Sequence, residues 1–317
     1  MRFKLFPIIL LCLTTSQLFA QSHAHEFGFQ SDNDSFLAQG SDRYYTNGLF
    51  LFYRQGLNVN ANSVLANKVL GIEVGQKMYN ALSGSIHDAT SVDRPFAAYL
   101  YAGTNLNLLY KNESNLKISA QVGLVGPAAL GREVQQIIHD TFGFYELNGW
   151  QYQIRNSFQV NLSAEYNKLL ARASWIDLTA TGYGNLGTTF SGAGIGPMIR
   201  LGNFNQLFNS ISTQSMATRN AQATLHPHEL FAYYKPQYNY IAYDATVQGG
   251  LFQDAQIGSS EITSSPKRSV VSHQIGISYG GTRWVLDASA VFHTKDVKTQ
   301  TFNTHQWGSI TALYRFN

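Results

Sequence analysis

The sequence predicts an all-β protein, a transmembrane antiparallel β-barrel of about 12 strands with a short helix in an extracellular loop. Three observations predict it. Only 13% of the 317 residues are charged, while 13% are aromatic and 27 are glycine; a soluble domain carries roughly a quarter charged residues. Past the N-terminus no apolar run is long enough for a membrane helix. Period-two alternation recurs along the chain, as in QYQIRNSFQVNLSAEY (151–166), where Gln153, Gln159, Asn161 and Ser163 alternate with Ile154, Phe158, Val160 and Leu162. The polar faces of these segments are Ser, Gln, Asn and Thr rather than Lys and Glu, which suits a crowded barrel interior.

The chain opens with MRFKLFPIILLCLTTSQLFAQ, in which Arg2 and Lys4 precede a short apolar run and then small and polar residues. This is the layout of a secretory signal peptide, 1–20, with cleavage expected after Ala20 or, alternatively, after Ala24. The only cysteine, Cys12, would leave with it, so disulfides and thiolate metal sites are excluded from the mature chain. Without Arg2 and Lys4 the 22 basic residues become 20 against 19 acidic ones. Such a balance, with no basic run, argues against nucleic acid as a partner.

Residues 21–317 read as one barrel. The expected strands are 25–31, 46–55, 69–78, 96–110, 115–124, 151–166, 170–182, 189–202, 237–251, 269–280, 282–295 and 303–316. Tyr279-Gly280-Gly281-Thr282 gives a tight hairpin turn, and the terminal ITALYRFN places an aromatic one residue from the end. The stretch 203–236 is irregular and is not assigned. With the N-terminus on the periplasmic side, connections after odd-numbered strands lie outside. The first three, 32–45, 79–95 and 125–150, hold the densest polar clusters.

Within 123–150, GLVGPAALGREVQQIIHDTFGFYELNGW, the pattern from Ala128 to Phe142 is helical. Leu130, Val134, Ile137 and Ile138 fall on one side, with Arg132, Gln135, Gln136 and His139 on or near the other. Gln135 and His139 are four apart and share a face. An outer-loop helix of this kind would cap the barrel mouth or lie against its wall.

SDNDSF, DRYYTNG, VDRPFAAYLY, GLVGPAALGREVQQIIHDTFG and GWQYQ, in this order, resemble the outer-membrane lipid A 3′-O-deacylases. The resemblance covers most of the mature chain and is densest over 30–155. It implies a twelve-stranded barrel in the bacterial outer membrane, active toward the outer leaflet. The implied reaction removes the 3′-linked acyloxyacyl chain of lipid A, the lipopolysaccharide anchor, with a divalent cation, typically Ca²⁺. The implied catalytic residues are Asn33, Asp34, Thr46 and His139, with Asp34 also a metal ligand. Glu133, Gln135 and Arg94 are the implied substrate-binding residues. One departure stands out: the second outer loop, YNALSGSIHDATSV, lacks a basic cluster that would face lipid phosphates. Lipid A and membrane lipids are the expected partners, with no obligate protein partner.

These residue types suit ester hydrolysis. An imidazole exchanges protons near neutral pH. A carboxylate such as Asp34 can orient that ring or help to hold a cation, and amide and carbonyl oxygens suit Ca²⁺. Asn33 and Thr46 can donate hydrogen bonds to an oxyanion. The expected mechanism is a His-activated water attacking a Ca²⁺-polarised ester. A conventional serine hydrolase is disfavoured, since no G-x-S-x-G occurs. The alternatives are a phospholipase-type barrel esterase, or a channel or adhesin in which 32–48 is a structural Ca²⁺ loop.

Overall fold

Twelve antiparallel strands close on themselves in chain order, as a computed structural model shows. It describes residues 23–37, 42–214, 216–220, 222–254, 256 and 258–317; the expected signal peptide lies outside the described residues. The strands are β1 (His25–Asn33), β2 (Tyr45–Gly56), β3 (Leu65–Tyr79), β4 (Ala97–Tyr110), β5 (Ser114–Val125), β6 (Ser157–Arg172), β7 (Ile176–Gly187), β8 (Phe190–Asn203), β9 (Glu229–Asp244), β10 (Ser269–Gly280), β11 (Trp284–Thr294) and β12 (Thr304–Phe316). β1 pairs with β2 on one side and with β12 on the other, from His25 opposite Phe316 to Asn33 opposite Gly308. Closure leaves no strand edge to be solvated, which the hydrocarbon core of a bilayer demands.

The alternation resolves into two faces of opposite character. On β6, Phe158 is 67% exposed and Leu162 53%, while Gln159 and Asn161 between them are buried. β11 repeats this, with Trp284, Leu286 and Phe292 pointing outward. Large apolar residues are thus on the exposed side and polar ones inside, the reverse of a soluble domain and the signature of a lipid-facing wall. The interior is filled by tyrosines and hydrogen-bonded polar groups. Tyr99 and Tyr101 stack at 4.9 Å, and Asn161 donates to the Tyr99 hydroxyl at 2.8 Å.

All twelve expected strands are present, with the larger shifts at β3, which begins at Leu65 rather than 69, and at β6, β7 and β9. β6 begins at Ser157, because 151–156 belongs to the outer loop: Ile154 is buried and its N–H bonds the Phe96 carbonyl. β7 begins at Ile176 because β6 runs on to Arg172. β9 begins at Glu229 rather than 237, and the chain leaves it through a single helical turn, Ala245–Gln248, capped by Asp244.

The described residues of the unassigned connection, now 204–228, fold into the barrel end at which β1 starts, where the Thr218 N–H bonds the His23 carbonyl. Asn67 and Asn107 reach from the wall to the carbonyls of Ala217 and Thr213. Arg200, fully buried, bonds Asp177, Ser210 and the Asn205 carbonyl. The plug therefore closes one end, and the three large polar loops gather at the other.

Candidate active site on the outer face of the wall

The residues of interest sit outside the barrel, on its wall. On β3 and β4 the outward residues Gln76, Met78 and Ala98 ought to meet lipid, yet they are buried. Met78 and Ala98 are covered by Ala129, Trp150 and Val134 of the third outer loop. Gln76 donates to the Ala129 carbonyl at 2.6 Å and so ties the loop to the wall. A short turn, Pro127–Ala129, precedes helix α1, Gly131–Phe142. Gly131 is the point of closest approach, since a Cβ there would fall 2.4 Å from Ala98. α1 therefore lies on the wall and not across the mouth. Its buried stripe is Gly131, Gln135 and His139.

β1 and β2 supply the facing groups. Asn33 and Asn47 are cross-strand neighbours on the outward face, and Asn33 donates to the Asn47 amide oxygen at 2.5 Å. A bulge at Tyr45/Asn47 lets Thr46 and Asn47 share that side, while Tyr45 turns inward against Trp307. The hydrogen bonds then run without a break. Asn47 donates to Thr46 at 3.3 Å, Thr46 donates to Asp42 Oδ1 at 3.0 Å, and Asp42 Oδ2 stands 2.9 Å from His139 Nε2. On the other side of the ring, Nδ1 meets the Tyr145 carbonyl at 2.7 Å. A carbonyl only accepts, so Nδ1 carries hydrogen and Nε2 is the nitrogen that faces Asp42. The Tyr145 hydroxyl donates to Asp42 Oδ2 at 2.6 Å, and burial and this carboxylate both raise its phenol.

Asp42 is the carboxylate that meets the ring, and the sequence reading did not single it out. The carboxylate expected to orient the ring was Asp34, but Asp42 makes the contact. It sits in a constrained turn: Asp42 and Tyr44 both have positive φ, 42° and 63°. For a tyrosine this costs roughly 1–2 kcal/mol, and the surroundings hold it there. Tyr44 is fully buried, donates to Asp93 at 2.8 Å and accepts from the Phe302 N–H at 3.1 Å. Three outer loops thus fix the aim of Asp42. The available signal was its place in DRYYTNG.

Asp34 lies beside this chain. Its carboxylate accepts from the Arg43 N–H at 3.0 Å and from Thr46 at 3.5 Å. Burial, with the nearby Asp42 charge, pushes it up to about 7. Two carboxylates thus converge on one hydroxyl, and a cation there would relieve their desolvation and repulsion. Among the described residues no three His, Asp or Glu side chains form a metal cluster. The donor set is one or two carboxylates with amide, hydroxyl and carbonyl oxygens, which fits a hard cation completed by water.

The other expected residues are dispersed. Gln135 is beside the site on the buried stripe, where its oxygen accepts from the Trp150 indole at 2.9 Å and its Nε2 is buried without a partner among the described residues. Glu133 is exposed on the far side of α1. Arg94 is fully buried within the barrel mouth. It stacks on Tyr79 at 4.2 Å, bonds Thr246 and lies 3.8 Å from Asp296, apart from the His139 group.

Such a molecule, a closed barrel with a lipid-facing wall and a polar site mounted on it, is an outer-membrane β-barrel protein. The family model described as "Outer membrane protein LpxR" matches residues 6–316, and the chain belongs to that family. Membership makes it an outer-membrane protein of a lipid A-modifying type. Among solved structures, LpxR from Salmonella typhimurium aligns with a TM-score of 0.74 at 19% identity, covering 92% of this chain and 100% of that one. The β domain of the Bordetella autotransporter BrkA aligns at a TM-score of 0.46 and 10% identity, covering 93% and 99% of the two chains. No curated protein sequence matches.

Proposed function

We propose that the protein is a lipid A 3′-O-deacylase that hydrolyses the ester of the 3′-linked acyloxyacyl chain at the outer leaflet. The observation that carries this reading is the position of the His139–Asp42 pair. It stands on the outward face of the wall, toward lipid, beside Asn33 and Thr46. A channel or adhesin has no use for a histidine–carboxylate pair buried between a loop helix and the lipid side of its own wall. The described partners of the ring are a carboxylate and a carbonyl, with no serine hydroxyl, which supports water as the nucleophile.

Water held at the Nε2–Oδ2 edge gives its proton to the pair, and its oxygen attacks the ester carbonyl. Tyr145 keeps Nδ1 protonated and steadies Asp42, so the ring cannot turn away. Asn33, with an amide hydrogen beyond the one given to Asn47, can donate to the oxyanion, while the Thr46 hydroxyl, donating to Asp42, holds that carboxylate in place. Collapse breaks the acyl carbon–oxygen bond, and the proton held by the pair passes to the departing 3′-oxygen. A fatty acid and a free hydroxyl result. Asp34, with neighbouring oxygens, would hold Ca²⁺, which when bound supplies Lewis-acid stabilisation of the developing oxyanion.

The test is mass spectrometry of lipid A from cells expressing the protein or its His139→Gln variant, with Ca²⁺ varied. Loss of the 3′ acyloxyacyl group with the first alone is the expected result. Loss at another position, release of glycerophospholipid chains instead, or full activity in the variant overturns the reading, as does an acyl group trapped on a side chain.

A further inference from the structure

α1 has three faces rather than two. At 100° per residue, the stripe Gly131–Gln135–His139 meets the wall. Val134, Ile138 and Thr141 fall on one flank and Arg132 and Gln136 on the other, while Glu133, Asp140 and Ile137 point away from the wall. Ile137 is 65% exposed there. Across the helix, Gln136 donates to Asp140 at 2.7 Å, so the polar flank is internally paired at the surface.

The apolar flank is continuous with the lipid-facing belt. Val134 packs with Leu100 against the Met78–Ala98 cluster on the outer wall. Leu100 pairs with Leu124, and Leu124 pairs with Phe158, which is 67% exposed on the same rung. Beyond the helix, Phe142 and Phe144, both more than half exposed, lie nearly parallel with ring centroids 5.8 Å apart and widen the patch. A helix with one apolar and one polar flank, its third side fixed to a membrane wall, has the form of an interfacial helix.

We propose that α1 lies along the boundary of the bilayer, with the flank of Val134, Ile138 and Thr141 against lipid acyl chains and the Gln136 flank in water. The occupant of the apolar flank is bilayer hydrocarbon, because the flank merges with the lipid-facing belt of the barrel itself. This sets His139 at the level where headgroups give way to chains. The inference rests on the barrel being a membrane protein and stands whether or not the site is a hydrolase.

Cys12 is the only cysteine, so the chain with Cys12→Ser accepts one labelled position at a time. Thr141→Cys and Gln136→Cys, each carrying an environment-sensitive fluorophore, are reconstituted into phosphatidylcholine vesicles. Bromines on the lipid chains then quench from the membrane, and iodide quenches from water. Bromolipid should quench the Thr141 label about threefold or more over the Gln136 label, with iodide showing the opposite order. Equal iodide quenching at both positions, or bromolipid quenching of both, overturns the proposal. Ile138→Cys, on the same flank, must repeat the Thr141 result even if Thr141→Cys folds poorly.

Discussion

Asp42→Asn is the perturbation that most directly examines the site. The carboxylate accepts from Thr46 at 3.0 Å and from Tyr145 at 2.6 Å, and faces His139 Nε2 at 2.9 Å. The amide keeps the shape and one acceptor, but the second oxygen becomes an NH₂ donor. Whichever way it is flipped, either the ring or Thr46 loses an acceptor, and the negative charge beside Nε2 is gone. A hydrogen bond to a charged group is worth ~1.5–3 kcal/mol, and orienting the ring adds to that. Loss of ~2–4 kcal/mol from the transition state corresponds to a rate reduction of roughly 30- to 1,000-fold. The assay is release of the 3′ acyloxyacyl chain from purified lipid A in mixed micelles, by mass spectrometry, resolved into kcat and KM, with gel heat-modifiability as the check on folding. The fall should lie in kcat, and excess Ca²⁺ should not restore it. Asp34→Asn, by contrast, should recover in part as Ca²⁺ is raised. A folded Asp42→Asn chain within about threefold of the parent rate, or one rescued by Ca²⁺, would refute the pairing of Asp42 with His139 as the proton-handling unit.

Tyr145→Phe removes the hydroxyl that donates to Asp42 and accepts from the Gly84 N–H, yet keeps the backbone carbonyl on His139. A kcat lower by roughly tenfold with KM little changed is expected in the same assay, about 1.4 kcal/mol for one charge-assisted bond. Asp34, raised by burial to about 7, keeps in the folded chain a proton that the unfolded chain loses near its ordinary range of about 4. The folded state binds more protons between these values, so stability is greatest below ~4 and falls as pH rises to ~7. Thermal unfolding in chelator should therefore drop between pH 5 and 7.5, and this slope should flatten in Asp34→Asn. Arg200→Met, on β8 against the plug, leaves Asp177 and Ser210 short of a buried partner. A loss of ~3–5 kcal/mol is expected, read as an earlier loss of the folded band on heating, with hydrolysis at low temperature unchanged because the site is at the other end.

Strands were legible because each wall residue faces one of two media, and a two-residue period records that choice directly. Phe158, Val160 and Leu162 declare lipid, while Gln159 and Asn161 declare the interior. The segment 151–156 misled for a specific reason. Tyr152 and Ile154 keep the alternation, but Ile154 bonds the Phe96 carbonyl through its N–H and packs into the buried cluster with Ala97 and Val125 rather than facing lipid. In α1 the two-sided pattern was readable, but which side meets the wall was not. A lipid-exposed helix reverses the usual rule, so the polar stripe holding Gln135 and His139 is the buried one.

The sequence by itself determined the barrel, its strand order and the polar character of one end, since these follow from local alternation and from turns. The family resemblance also named His139, Asn33, Asp34 and Thr46 as a group. Only the tertiary structure decided that Asp42, ninety-seven positions from His139, is the carboxylate on the ring, and that Arg94 points into the barrel mouth. Both outcomes depend on contacts between loops distant in sequence. A positive-φ turn at Asp42 and Tyr44, fixed through Asp93 and Phe302, leaves no periodic trace in the residues that form it.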